Sequence, residues 1–150
     1  MPRVLILCTG NSARSQMAEG LLRHEGGAPF EVHSAGTHPT SVRPEAVAVM
    51  SELGIDISQH WSKSVDEFRG QEFDFVITVC DNANAACPHF PGNTRRLHWP
   101  FEDPAAVTGT LTAKLDAFRR VRDQIRAKIR EFVRMTPTHL EREKRQIGRR

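Results

Sequence analysis

Val4-Leu5-Ile6-Leu7-Cys8-Thr9-Gly10-Asn11-Ser12-Ala13-Arg14-Ser15 changes character twice within one short span. Val4 to Leu7 is a continuous run of β-formers, too short for the roughly 20 residues of a membrane span or for a signal-peptide core, and it reads as a buried strand. Cys8 to Ser15 is a loop of small polar residues. From Ser15 to His24 the apolar residues Met17, Ala18, Leu21 and Leu22 share one side of a helix that stops at Gly26-Gly27. Strand, loop and helix in that order open an alternating α/β chain.

The alternation continues outward. Phe73-Asp74-Phe75-Val76-Ile77-Thr78-Val79 reads as a second buried strand, with shorter candidates at Phe30-Glu31-Val32-His33 and Arg95-Arg96-Leu97-His98. A helix starting at Pro44 carries Val47, Met50 and Leu53 and ends at Gly54. In the last helix Leu111, Leu115, Phe118, Val121, Ile125, Ile129 and Phe132 recur at spacings of three and four before Pro137. Parallel strands need crossover helices, so the expected architecture is a three-layer α/β domain with a small, four-stranded parallel sheet between helices. In such sheets ligands sit beyond the carboxyl ends of the strands, and Cys8 and Cys80 each follow a strand directly.

The 150 residues are 39% hydrophobic and 26% charged, which fits one soluble domain and excludes a disordered chain. One domain is expected over residues 1–135, with a frayed basic tail at 136–150. Within that tail Arg142, Lys144, Arg145, Arg149 and Arg150 stand against Glu141 and Glu143, which accounts for the whole formal charge of +3. The body is neutral overall, and the tail lacks the interleaved aromatics of a nucleic-acid arm, so no nucleic-acid partner is expected. Three cysteines, an odd count, make no disulfide scaffold. The expected setting is cytoplasmic, without a membrane partner, and the expected state a monomer.

Cys8 to Arg14 has the form C-x5-R between a strand and a helix start. Successive backbone N–H groups and the helix N-terminus suit a tetrahedral oxyanion, and Arg14 offers a bidentate fork. The same groups favour a thiolate at Cys8. The substrate-binding set is therefore Thr9, Gly10, Asn11, Ser12, Ala13, Arg14 and Ser15, around Cys8 as nucleophile. A packing cysteine would not need Gly10, Asn11, Ser12 and Arg14 beside it. A displacement of this kind also needs a proton donor, and Asp103 in the proline-stiffened loop Trp99-Pro100-Phe101-Glu102-Asp103-Pro104 is the candidate, although Asp before Pro is also a common helix cap.

The other thiols bound Cys80-Asp81-Asn82-Ala83-Asn84-Ala85-Ala86-Cys87, whose alanines predict a short helix. Cysteines seven apart on a helix are separated by roughly 10 Å, beyond the limit of about 7 Å for a disulfide. Pairing would require the segment to unwind. Two unrelated cysteines, or a zinc site using His89 or His98, are the other readings, and C-x6-C does not match the close ligand pairs of structural zinc. The histidines show no paired ligand spacing, and Trp61 and Trp99 read as packing residues.

The run Cys8 to Gly20, with Ser34-Ala35-Gly36, the Cys80 and Cys87 pair and Trp99 to Pro104, resembles the thioredoxin-coupled arsenate reductases, relatives of the low-molecular-weight protein tyrosine phosphatases. The motifs cover roughly residues 3 to 135. The resemblance implies reduction of arsenate to arsenite without an organic cofactor. Catalytic roles then fall to Cys8, Cys80, Cys87, Arg14, Ser15 and Asp103, and phosphate or sulfate would compete for the loop. Cys8 attacks arsenic, Asp103 protonates the leaving oxygen, Ser15 hydrogen-bonds the nucleophile, and disulfides pass from Cys8–Cys80 to Cys80–Cys87 for reduction by thioredoxin. Glutaredoxin or mycothiol serves some relatives; the intact pair favours thioredoxin.

Two positions depart from that pattern. Ala13 stands where some members carry a further cysteine. Asn11, Glu19 and Ser34 match the potassium site of some relatives, but Lys63 replaces an acidic ligand and would bring the positive charge itself, so no metal is expected and little potassium dependence. The alternative reading is a phosphatase, since C-x5-R with Asp-Pro suffices for phosphomonoester hydrolysis. Against it, Ala105 and Ala106 follow Asp103-Pro104, the chain has no Tyr, and hydrolysis has no use for Cys80 and Cys87. A non-enzymatic thiol or metal sensor is a third reading.

Overall fold

The computed structural model describes residues 2–136; the basic tail from residue 137 onward lies outside them. Four strands, β1 (Arg3–Cys8), β2 (Glu31–Gly36), β3 (Phe75–Thr78) and β4 (Arg95–His98), form one parallel sheet in the order β2-β1-β3-β4. Between and after them come α1 (Arg14–Gly26), α2 (Pro44–Ser51), α3 (Asp81–Ala85) and α4 (Leu111–Met135), with 3-10 turns at Val65–Phe68 and Pro104–Ala106. This is the expected four-stranded α/β architecture. Every residue from Val4 to Cys8 is buried, so both faces of β1 are covered, as a continuous apolar strand requires.

Several boundaries differ from the sequence reading. β2 runs on through Ser34-Ala35-Gly36 because these residues pair with Ile6, Leu7 and Cys8 of the central strand. β3 is shorter than expected and spans Phe75–Thr78; Asp74 before it still gives its N–H to the Arg3 carbonyl at 2.9 Å and accepts the Arg3 N–H on its carboxylate at 2.7 Å. α4 reaches Met135, and the Pro44 helix stops at Ser51, short of Gly54.

Helix α4 packs on α1 and α2. Its Phe132 meets Phe30, Phe75 and Trp99 at ring centroid distances of 6.1, 5.0 and 5.6 Å, so Trp99 is a packing residue as expected. Trp61 is not: it is 66% exposed, which corrects the sequence reading. Among the described residues no helix is long and apolar enough to cross a membrane.

Strand order reverses at β1. The chain leaves β1 for β2 on one side and returns to β3 on the other, so the carboxyl ends of β1 and β3 lie together, with Leu7 opposite Thr78. Cys8 and Cys80 emerge there, at the switch point where such sheets bind ligands.

The α2–α4 contact has an electrostatic lock. Arg119 and Arg122 of α4 both hold Glu52 at the end of α2, and Arg122 also donates to the Val49 carbonyl at 2.8 Å. Hydrogen bonding to Arg119, then to Arg122, outweighs desolvation and holds the Glu52 carboxyl down at about 2. A folded value below the ordinary 4.5 stabilises the fold above that pH, and the contribution is lost as pH falls toward 2. Glu52→Gln is expected to lower the melting temperature at neutral pH and to flatten the acid limb of stability between these values, as read by thermal unfolding at stepped pH.

Candidate active site

The loop after β1 is shaped by what its carbonyls bind. The carbonyls of Cys8, Thr9, Gly10 and Ser12 accept the N–H groups of Thr37, His38, Thr40 and Arg43 at 3.2, 2.8, 3.0 and 2.8 Å. The Asn11 carbonyl accepts Ser62 Oγ at 2.7 Å and Gln16 Nε2 at 3.1 Å. A carbonyl pulled outward turns the next N–H inward. Helix α1 then begins at Arg14 after Ala13, which offers no side-chain cap, and among the described residues the N–H groups of Ser12 to Ser15 have no acceptor. Orphan amides at a helix N-terminus are an anion site. The free amides of Ser12 and Ala13 thus stand at the helix start beside Thr9 and Gly10, whose carbonyls are bound from outside the loop.

Cys8 is buried at the base of this cradle. Its sulfur accepts the Asn11 N–H at 3.2 Å and lies 2.9 Å from Ser15 Oγ. Asn11 Nδ2 donates to Ser15 Oγ at 2.7 Å, which leaves the Ser15 hydrogen for Cys8. Asn11 itself sits at φ 48°, in the left-handed region that Asn tolerates better than most residues. Its side chain is fully committed: Nδ2 also donates to Ser34 Oγ at 3.0 Å, while Oδ1 accepts Gln16 Nε2 and the Lys63 N–H, both at 2.9 Å. Asn11 thus anchors the loop from beneath while its N–H faces the thiol.

Beneath Asn11 lies Glu19, buried, accepting Ser34 Oγ at 2.6 Å and Arg23 Nε at 3.2 Å. Lys63 Nζ and His60 Nδ1 stand 3.9 and 3.7 Å from its carboxylate. Burial pushes both Lys63 and His60 down, with Glu19 opposing. Gln16 Nε2 is spent on Asn11 and on the Trp61 carbonyl, so Gln16 Oε1 must accept, and His60 Nδ1 donates to it at 2.9 Å.

These residues do not fit a potassium ion. Asn11 turns N–H groups toward Ser15 and Ser34, Ser34 gives its hydrogen to Glu19, and the Lys63 ammonium stands at Glu19 while donating to the Trp61 carbonyl at 3.1 Å. Nor do any three His, Cys, Asp or Glu side chains among the described residues converge as metal ligands.

Arg14 and Asp103 meet across the mouth. Arg14 Nη1 donates to the Phe101 carbonyl at 3.1 Å, and Nη2 lies 3.9 Å from Asp103 Oδ2. Asp103 Oδ1 accepts the Ala105 N–H at 3.0 Å, capping the turn at Pro104, so its capping role is real while Oδ2 remains directed at the site.

Cys80 is brought to the loop: its sulfur lies 3.3 Å from Thr9 Oγ1, one residue from the nucleophile position. It is also the N-cap of α3, accepting the Ala83 N–H at 3.4 Å. The expected short helix spans only Asp81–Ala85, and Cys87 lies past its end, so the axial spacing for two helical cysteines does not apply. Cys87 is half-buried, and burial pushes its thiol up while Arg96 opposes. All three cysteines are free thiols.

Gly36, quoted above only as part of a motif, has a steric duty. A Cβ there would stand 2.5 Å from the Thr9 carbonyl and 2.9 Å from the Asn11 nitrogen. Gln16, His60 and Ser62 also support the loop, and sequence offered no signal for them beyond polarity.

A parallel sheet with a thiol-and-amide cradle at its switch point defines a phosphatase-like oxyanion-binding protein. The family described as low molecular weight phosphotyrosine protein phosphatase matches residues 3–146, and the chain belongs to it; the match runs past residue 135 into the basic tail. Proteins called arsenate reductase from Halalkalibacterium halodurans and Bacillus subtilis are 46% and 43% identical over 129 residues, each covering 86% of this chain and 93% of the relative. A solved arsenate reductase in a phosphate-binding state superposes with TM-score 0.73 at 32% identity, covering 89% of this chain and 97% of its own.

Adding a methyl group at Gly36 forces the loop backbone to move. Gly36→Ala is expected to weaken inorganic phosphate binding by about tenfold or more, on the scale of an overpacking penalty, while the protein still melts cooperatively. Isothermal titration with phosphate checks this, and unchanged affinity would mean the close approach does not set the cradle.

Proposed function

We propose that this protein is an arsenate reductase that reduces arsenate to arsenite through Cys8, Cys80 and Cys87 and is returned to the reduced state by thioredoxin. The observation that carries the reading is Cys80 Sγ at 3.3 Å from Thr9 Oγ1: a second thiol stands at the rim of an oxyanion cradle, with a third just past the adjoining helix. A hydrolase needs neither. The relatives called arsenate reductase support the substrate, and a neighbour from Corynebacterium glutamicum described as a thioredoxin-dependent arsenate reductase, with TM-score 0.68 and 31% identity, supports the donor over glutaredoxin or mycothiol.

Arsenate enters the amides of Thr9 to Ser15, and Arg14 turns from the Phe101 carbonyl to grip two of its oxygens. Cys8, held by the Asn11 N–H and the Ser15 hydroxyl, attacks arsenic, and Asp103 gives its proton to the departing oxygen. Cys80 then attacks the Cys8 sulfur. The sulfur–arsenic bond breaks with its electron pair left on arsenic, so arsenite departs and two thiols have become one Cys8–Cys80 disulfide. Cys87 attacks Cys80, releases Cys8 as a thiolate, and leaves a Cys80–Cys87 disulfide, which thioredoxin reduces by exchange. α3 must open for this; it is five residues long and its capping contact is weak at 3.4 Å.

No organic cofactor takes part, and Lys63 supplies beside Glu19 the charge that potassium supplies in some relatives. Phosphate and sulfate compete for the cradle. The reading places the enzyme in the reducing cytoplasm, as a monomer.

NADPH oxidation with thioredoxin and thioredoxin reductase is expected to depend on arsenate and to vanish in Cys87→Ala. Absence of that turnover, with aryl phosphate hydrolysis that survives the same substitution, would make the protein a phosphatase. Exchanging sodium for potassium at fixed ionic strength is expected to leave the rate unchanged; a large potassium-specific stimulation would contradict the role given to Lys63.

A further inference from the structure

Helix α3 is tied to the edge of the sheet at both ends, and the two ties differ in kind. At its start Asp81 Oδ1 meets His98 Nε2 at 3.0 Å, and His98 Nδ1 meets Thr78 Oγ1 at 2.8 Å. At its finish Arg96 of the edge strand β4 donates from Nη2 to the Asn84 carbonyl at 3.5 Å, and Thr78 Oγ1 lies 3.3 Å from Asn84 Oδ1. The Asn84 carbonyl belongs to the last turn of the helix, where carbonyls lack helical partners and a cation is favoured. Cys87 follows three residues on. Its own hydrogen bond, to the Pro88 carbonyl, is long at 3.5 Å. Asp81 and His98 pair with each other at the far end of α3, while Arg96, held at the Asn84 carbonyl three residues before Cys87, opposes the effect of burial on the thiol.

We propose that Arg96 is the positioning residue of the third thiol: it clasps the C-terminal end of α3 through the Asn84 carbonyl and presents its guanidinium to Cys87, which favours the attacking thiolate. This rests on the three-thiol reading above. In the step served, the Cys87 thiolate attacks Cys80, the Cys80–Cys87 bond forms as the Cys8–Cys80 bond breaks, and Cys8 leaves as a thiolate. The Cys87 proton has gone to solvent beforehand, and no net oxidation occurs. Burial at Cys87 opposes ionisation, so without the guanidinium the half-buried thiol would be a poor nucleophile at neutral pH.

The test is the pH profile of Cys87 alkylation by iodoacetamide in the reduced full chain, with each cysteine followed by mass spectrometry. In Arg96→Gln the neutral-pH rate at Cys87 is expected to fall about five- to tenfold through an upward shift of the midpoint. Arg96→Lys is expected to restore most of it, added salt to weaken the wild-type advantage, and Cys8 and Cys80 to be unaffected. Mere loosening of α3 would instead expose Cys87 and speed its alkylation. A Cys87 midpoint unmoved by Arg96→Gln, in a protein whose turnover still requires Cys87, overturns the role of Arg96 alone. Thioredoxin-linked arsenate turnover that persists in Cys87→Ala overturns the relay and, with it, the step that Arg96 is said to serve.

Discussion

The outward pull on the backbone carbonyls of Cys8 to Ser12 is the constraint on which the rest of the site depends. Five consecutive carbonyls each accept a hydrogen bond from outside the loop, four of them from the N–H groups of residues 37–43. With those oxygens committed, the amides between them and the uncapped start of α1 have only the interior of the loop to face. Such donors cost no reorganisation when charge develops on a bound oxyanion. The segment that supplies the four N–H groups leaves the end of β2, so the pairing of Cys8 with Gly36 places donor and acceptor strands in register. Sheet register and anion chemistry are here one problem with one solution.

A second layer keeps the first in place. Asn11 spends both amide hydrogens and its oxygen below the loop, and Glu19 ties Ser34, Arg23, Lys63 and His60 together beneath it. A buried carboxylate is tolerable only with compensating partners, and removing one leaves an uncompensated charge. The positive charge that accompanies Glu19 is carried by the chain itself. Lys63 is held close by its bond to the Trp61 carbonyl and lies 5.2 Å from the centre of the Trp61 ring, which gives that exposed tryptophan a role at the site rather than in the core.

Much of this was legible in the sequence because local pattern carried it. Val4 to Leu7 reads as a buried strand from its composition, and a small-residue loop between strand and helix reads as an anion cradle without knowledge of its carbonyl partners. What was not legible depended on pairing over distance. Ser34-Ala35-Gly36 has no strong strand preference and becomes β2 only because Ile6, Leu7 and Cys8 lie beside it. His60 and Lys63 lie far from Glu19 along the chain, and polarity alone does not reveal which residues meet beneath the loop. The alanines before Cys87 favour a helix that would include it, yet α3 ends before it and Pro88 follows, which disfavours helical geometry at Cys87. Asp before Pro suits both a cap and an acid, and the two oxygens of Asp103 are directed separately to the Ala105 N–H and toward Arg14.

The most direct measurement is a single turnover without thioredoxin: fully reduced protein mixed with an equivalent of arsenate, quenched in acid, and mapped for disulfides by mass spectrometry beside an assay for arsenite. A stoichiometric yield of arsenite, a Cys80–Cys87 disulfide and Cys8 recovered as a free thiol are expected. Three free thiols with arsenate unchanged would contradict the three-thiol relay.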